Sequence, residues 1–123
     1  MSIQGKDIFT VAQSCLNNSD EHFSRSAISR AYYALYHETC AILKHCPPTT
    51  HDGVVQYLLT GTRRKAEPYE LMDLICIGAV LKQQKEKRKA ADYSLDTDIT
   101  SAEANSSVEA VRKILIKINA IKK

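Results

Sequence analysis

Two side chains in the segment Ser29-Arg30-Ala31-Tyr32-Tyr33-Ala34-Leu35-Tyr36-His37, Arg30 and His37, are of types that suit phosphodiester chemistry. Arginine is permanently cationic and presents a planar fork suited to a phosphate, while histidine is the side chain that can take or give a proton near neutral pH. On a helix, a turn of ~100° per residue returns His37 to within ~20° of Arg30, two turns and roughly 10 Å further along the axis. The two share a face. Cleaving RNA without a metal needs a group to take the 2′-hydroxyl proton, a donor for the leaving 5′-oxygen, and positive charge on the phosphorane-like transition state. One Arg and one His fall short of those three roles, whereas two copies meeting across a two-fold axis hold two of each. The expected site is composite and belongs to a homodimer.

The element that must position this pair is a long helix, expected from about Glu21 to Lys44 and stopped by Pro47-Pro48. Its Ile28, Leu35 and Ile42 repeat every seven residues about 160° from Arg30 and His37, so the polar pair points away from the main core. Ala27, Ala34 and Ala41 run beside the pair, and their small side chains invite a helix of a second copy to pack closely there. Ahead of this helix, Ile8, Ala12, Cys15 and Leu16 recur at helical spacing and end at the polar cluster Asn17-Asn18-Ser19-Asp20. After it, His51 to about Leu59 forms a short third helix ended near Gly61, with Val54, Val55, Leu58 and Leu59 as its apolar residues. Pro68 is expected in the first turn of a fourth helix, whose stripe is Leu71, Leu74, Ile75, Gly78 and Leu81 and whose polar extension is KQQKEKRKAADY. Gly78 leaves room for another backbone. Thr100-Ser101-Ala102-Glu103 has capping-box spacing before a fifth helix with a seam of Val108, Val111, Leu115 and Ile118. No segment alternates with period two, so the fold class is all-α: an antiparallel bundle of four to five helices.

The chain has 123 residues, 44% of them apolar and 25% charged, with 17 Lys+Arg against 14 Asp+Glu. That fits one ordinary domain over residues 1–123, long enough to bury a core without staples. No apolar run reaches the ~20 residues that span a bilayer, and MSIQGKDIF has neither a basic nor an apolar leader region, so the expected location is cytoplasmic, with no membrane partner. Four cysteines form no CxxC pair. Cys15, Cys40 and Cys76 read as small core residues, and HCPPTTH around Cys46 matches no established ligand spacing, so neither a metal nor another cofactor is expected.

The runs AISRAYYALYH from Ala27 to His37, His51-Asp52-Gly53-Val54, and Arg88-Lys89-Ala90-Ala91-Asp92-Tyr93, in this order over nearly the whole chain, resemble the HEPN domain family of prokaryotes. The resemblance implies a helical bundle, often dimeric, found in toxin-antitoxin, phage-defence and CRISPR-related settings. It also implies a metal-independent endoribonuclease whose motif is Arg, four to six residues, then His. Arg30 and His37 meet that motif with six between them. By the resemblance, Arg30 would hold and stabilise the scissile phosphate and His37 would act in proton transfer or orient the reacting groups, each paired with its copy from the other protomer, leaving a 2′,3′-cyclic phosphate. Tyr33, Glu38, Arg88, Asp92 and Tyr93 are the expected supporting or substrate-binding residues. A cognate antitoxin or a nucleotidyltransferase is the implied protein partner, RNA the substrate. A toxin subgroup carries His, any residue, then Tyr; here the sequence is His37-Glu38-Thr39, without that tyrosine.

A different class fits the same residues: a catalytically inactive HEPN module that docks a nucleotidyltransferase-type protein, with Arg30 and His37 in an ion-pair or hydrogen-bond network to Glu38 or Asp92. Tyr32, beside the Ile28 stripe, reads as core, while Tyr33 and Tyr36 flank the site or pack on neighbouring helices. Arg88 and Asp92, four apart, can pair along the helix, with Tyr93 as an anchor. The cations Lys82, Lys85, Lys87 and Lys89, with Arg63-Arg64-Lys65, read as a solvated face or as an RNA path. His51 is expected to open the third helix or support its loop, and His22 and His45 have no evident partner.

Overall fold

The computed structural model describes residues 3–122. Among them the chain forms α1 (Gly5–Cys15), α2 (Glu21–Ile42), α3 (His51–Thr60), a 3-10 turn (Thr62–Ala66), α4 (Leu71–Tyr93) and α5 (Ser101–Ile121), with no strand. The protein is an all-α helical bundle. α2 is its spine, with α1, α4 and α5 packed around it and α3 lying on α4. No helix among the described residues is long and apolar enough to cross a membrane.

The heptad stripe of α2 enters the core as its spacing requires: Ile28, Leu35 and Ile42 are 1%, 0% and 5% exposed. Tyr32 lies wholly buried with them, in the same core as Leu58, Leu74, Ile77, Leu81 and Val111. Each such aliphatic side chain contributes roughly 1.5–3 kcal/mol by leaving water.

The small residues of α2 are used differently from the expectation. Ala27 and Ala34 are completely buried inside the chain, and the close-packing helix is the chain's own α1. A Cβ on Gly5 would stand 2.8 Å from the Ala34 carbonyl oxygen and 2.6 Å from Cγ of Glu38. Glu38 accepts a hydrogen bond from the Lys6 backbone N–H at 2.9 Å, satisfying one of the amides that α1's first turn leaves without a helical partner. Only Ala41 of the alanine repeat remains exposed. Gly5→Ala is therefore expected to lower the denaturation midpoint, although at an open helical position the same change stabilises by about 0.5–1 kcal/mol. A more stable Gly5→Ala protein in urea unfolding would refute the close approach.

α4 begins three residues later than Pro68. Glu70 is the N-cap, and Glu67 and Glu70 both have extended backbone. The cause is a clamp onto the end of α2. The Glu67 carboxylate, buried, accepts from the backbone N–H of Lys44 at 2.8 Å, that of His45 at 2.9 Å, and the Tyr57 hydroxyl at 2.5 Å. The Tyr69 hydroxyl donates to the Ile42 carbonyl at 2.8 Å. Holding these side chains against α2 and α3 keeps the segment, bent at 67–69, out of the helix until Leu71, and the residue before a proline already disfavours helix. The buried stripe shifts accordingly to Leu74, Ile77, Gly78 and Leu81; Leu71 is exposed and Ile75 only half-buried. α3 crosses at Gly78, where an added Cβ would lie 2.8 Å from that of Leu58. α2 likewise stops at Ile42, short of Lys44, where Glu67 takes up the following amides.

At α5 the Thr100 hydroxyl caps the helix by accepting from the Glu103 N–H at 3.1 Å. Its seam includes Ala104, Ser107 and Ile114 beside Val108, Val111 and Ile118, with Leu115 at the margin. The other end of α4 is closed by Arg25 of α2, whose side chain is 11% exposed. Its guanidinium donates to the carbonyls of Ala90 at 3.2 Å, Ala91 at 2.9 Å and Ser94 at 3.2 Å, and to that of Thr97. The Ala90 carbonyl already accepts from the Ser94 N–H, but one fork also serves the Ala91 carbonyl and the two beyond the helix, so it closes the helix end and the turn after it together. This ties the end of α4, including Asp92 and Tyr93, to the first turns of α2.

Candidate functional site

Arg30 and His37 are both exposed, on the side of α2 opposite its core stripe. They border one open cleft of about 410 Å³. Ile8 of α1, Asp92 of α4, and Ser29 and Tyr33 of α2 complete most of its lining. The Asp92 carboxylate accepts from the Ser29 hydroxyl at 3.2 Å and lies 3.5 Å from an Arg88 nitrogen. One carboxylate is thus fixed at the rim of a cleft that carries a free guanidinium and a free imidazole.

Beneath the rim lies a cationic and aromatic cluster. The Arg88 side chain is 11% exposed, and its guanidinium carbon sits 5.5, 5.6 and 5.7 Å from the ring centroids of Tyr32, Tyr33 and Tyr93. Its Nε is buried without an acceptor, so ring faces and Asp92 are what compensate the charge. Tyr33 connects the two levels, because its ring both lines the cleft and faces Arg88.

His51 opens α3 and turns into this cluster. Its Nδ1 is 2.7 Å from the Tyr32 hydroxyl, and its ring stacks on Tyr36 with centroids 3.7 Å apart and planes 9° from parallel. Tyr36 in turn meets the His37 ring edge-on at 5.4 Å, so the two imidazoles are no more than about 9 Å apart. Burial raises the Tyr32 phenol well above its ordinary range and keeps it neutral. Burial also lowers the His51 pKa, helped by the charges of Arg88, Lys85 and His37 and opposed by Asp52. His51 therefore resists protonation in the folded chain and accepts it at the ordinary value of 6.5 when unfolded. Between those two pKa values the unfolded state binds more protons, so this contribution to stability falls as pH drops below about 6.5. The melting temperature is expected to decline on going from pH 7.5 to pH 5, with a shallower decline in His51→Gln. Equal slopes for the two proteins would show that the imidazole carries no such penalty.

Of the residues expected at the site, Arg30, His37, Tyr33 and Asp92 line the cleft, Arg88 supports it from below, and Tyr93 is not part of the lining but stands exposed next to Asp92 with its ring against Arg88. Glu38 does not join them; it faces α1 and borders a separate hollow with Gln4, Lys6 and α5. The basic run is also divided. Lys85 is buried and paired with Asp52, and Arg64 donates to the Leu58 carbonyl at 3.0 Å, leaving Lys82, Lys87, Lys89, Arg63 and Lys65 exposed. All four cysteines are free thiols; Cys15, Cys40 and Cys46 are half-buried, while Cys76 is exposed on the outer face of α4 rather than in the core. Among the described residues no three His, Cys, Asp or Glu side chains gather in a metal-binding arrangement. Sequence reasoning overlooked the part His51 takes in the cluster, and no spacing rule links it to Tyr32, Tyr36 and Arg88 across three helices.

Comparison with family models, with curated proteins and with solved structures finds no match to the chain.

Proposed function

We propose that the chain is a HEPN-type endoribonuclease, a toxin or defence effector, that cleaves RNA without a metal at a site shared by two copies. The observation that carries this reading is the exposure of Arg30 and His37 on one cleft, with nothing else among the described residues covering them. A guanidinium there can hold the scissile phosphate and offset the charge that builds on its oxygens. One His37 takes the 2′-hydroxyl proton, the 2′-oxygen bonds to phosphorus, and the 5′-oxygen leaves with a proton from His37 of the second copy. The products are a 2′,3′-cyclic phosphate and a 5′-hydroxyl.

Two measurements test it together: molar mass in solution by light scattering, and cleavage of labelled RNA in excess EDTA. A dimer that yields cyclic-phosphate ends supports the reading. A dimer that leaves RNA intact at high protein concentration is the silent module, which docks a nucleotidyltransferase-type protein through the same face. A strictly monomeric chain has no second imidazole of this kind and defeats the composite site.

A further inference from the structure

We infer that Tyr93 is a base-stacking platform for single-stranded RNA, holding an unpaired nucleobase beside the Arg30 cleft. The inference rests on the ribonuclease reading of that cleft and adds to it the class of substrate: a strand whose bases are free to leave a duplex.

Tyr93 ends α4 directly after Asp92, the residue that α4 contributes to the cleft lining. Its side of the helix end is open, with Tyr93 73% exposed and Leu95 76% exposed. A single exposed aromatic residue is ordinary, but this ring is not loose. Arg88 Nη1 donates to its hydroxyl at 3.4 Å, and the same guanidinium lies 5.7 Å from the ring centroid. Arg25 holds the backbone at both sides of it, through the carbonyls of Ala91 and Ser94. A ring already held in place loses little freedom when a flat partner settles on it. Lys89 lies one helical turn earlier on the same face as Tyr93, its side chain 48% exposed and its ammonium 3.8 Å from the exposed Glu86 carboxylate, a loose surface pair that a phosphate can displace, so a cation and a ring for a base are neighbours. Stacking on an aromatic side chain is available to any unpaired base, and a base within a duplex cannot offer its face.

The probe is a 2′-O-methyl oligonucleotide of about ten residues carrying 2-aminopurine, which lacks the attacking hydroxyl and so binds without being cut. Binding is read by anisotropy and stacking by loss of 2-aminopurine fluorescence, for the wild-type protein, Tyr93→Leu and Tyr93→Phe. The expected result is quenching by the wild type, affinity weakened about tenfold or more in Tyr93→Leu, affinity kept in Tyr93→Phe, and much weaker binding of the same sequence as a duplex. Unchanged affinity and quenching in Tyr93→Leu would overturn the inference while leaving the nuclease reading intact. So would a wild type that binds no single strand, in which case RNA cleavage in EDTA still decides the nuclease reading separately. A Tyr93→Leu protein that loses its dimer but binds the oligonucleotide normally would assign the ring to contact between copies instead.

Discussion

In excess EDTA, Arg30→Ala and His37→Ala are each expected to slow RNA cleavage at least about a hundredfold, the usual cost of removing a general acid-base group or a donor to the transition-state charge. Both side chains are exposed, so their truncation opens no cavity and should move stability by no more than about 0.5 kcal/mol. The contrast is the useful part: activity collapses while the melting curve stays where it was. Arg30→Lys keeps the charge but loses the planar fork, and an intermediate rate is expected from it. Mixing wild-type chain with an excess of His37→Ala gives heterodimers that keep a single His37, and a loss of activity beyond simple dilution of the wild type would mark a shared site. Full activity in either single variant removes that residue from the chemistry.

Arg25→Ala is expected to be the most damaging of the changes outside the core. The side chain is 11% exposed and its guanidinium serves four carbonyls where α4 ends and the next connection begins. Charge-assisted hydrogen bonds contribute about 1.5–3 kcal/mol each to stability, and they are not additive on one group. A loss of about 2–4 kcal/mol, or roughly 10 °C in melting temperature, is the expected outcome. Arg25→Lys recovers only a part, since a single ammonium cannot reach the same spread of acceptors. Hydrogen exchange in α4's last turn should accelerate before that of α2. A melting temperature within one or two degrees of wild type would mean that water replaces the fork at little cost.

The helices were legible where periodicity and punctuation agreed. α2 and α5 follow from their heptads, the polar cluster at Asn17 to Asp20, the prolines after Cys46, and the cap at Thr100. The errors have a common origin in contacts between distant segments. Glu67 and Tyr69 hold the chain out of the helix beyond Pro68, a restraint made by residues 22 to 27 positions away that no local rule registers. The alanines of α2 rightly announced a close neighbour, but spacing alone cannot say whether that neighbour is another copy or the same chain's α1. Arg30 and His37 were legible because one helix carries both. His51 and Arg88 come to the same place on other helices, and only the packing of α3 and α4 around Tyr32 brings them in.

The occupation of Ala27 and Ala34 by α1 has a bearing on how the chain would be governed. With that groove already filled, two copies pairing over Arg30 and His37 could not bring helix backbones together there, and would meet through long, hydrated side chains. Such pairing would be readily reversible, so under mass action the amount of dimer at low abundance would grow with the square of the amount of chain present. Doubling expression would roughly quadruple turnover, which makes abundance itself a threshold, and a modest rise in synthesis or a delay in degradation would be enough to cross it.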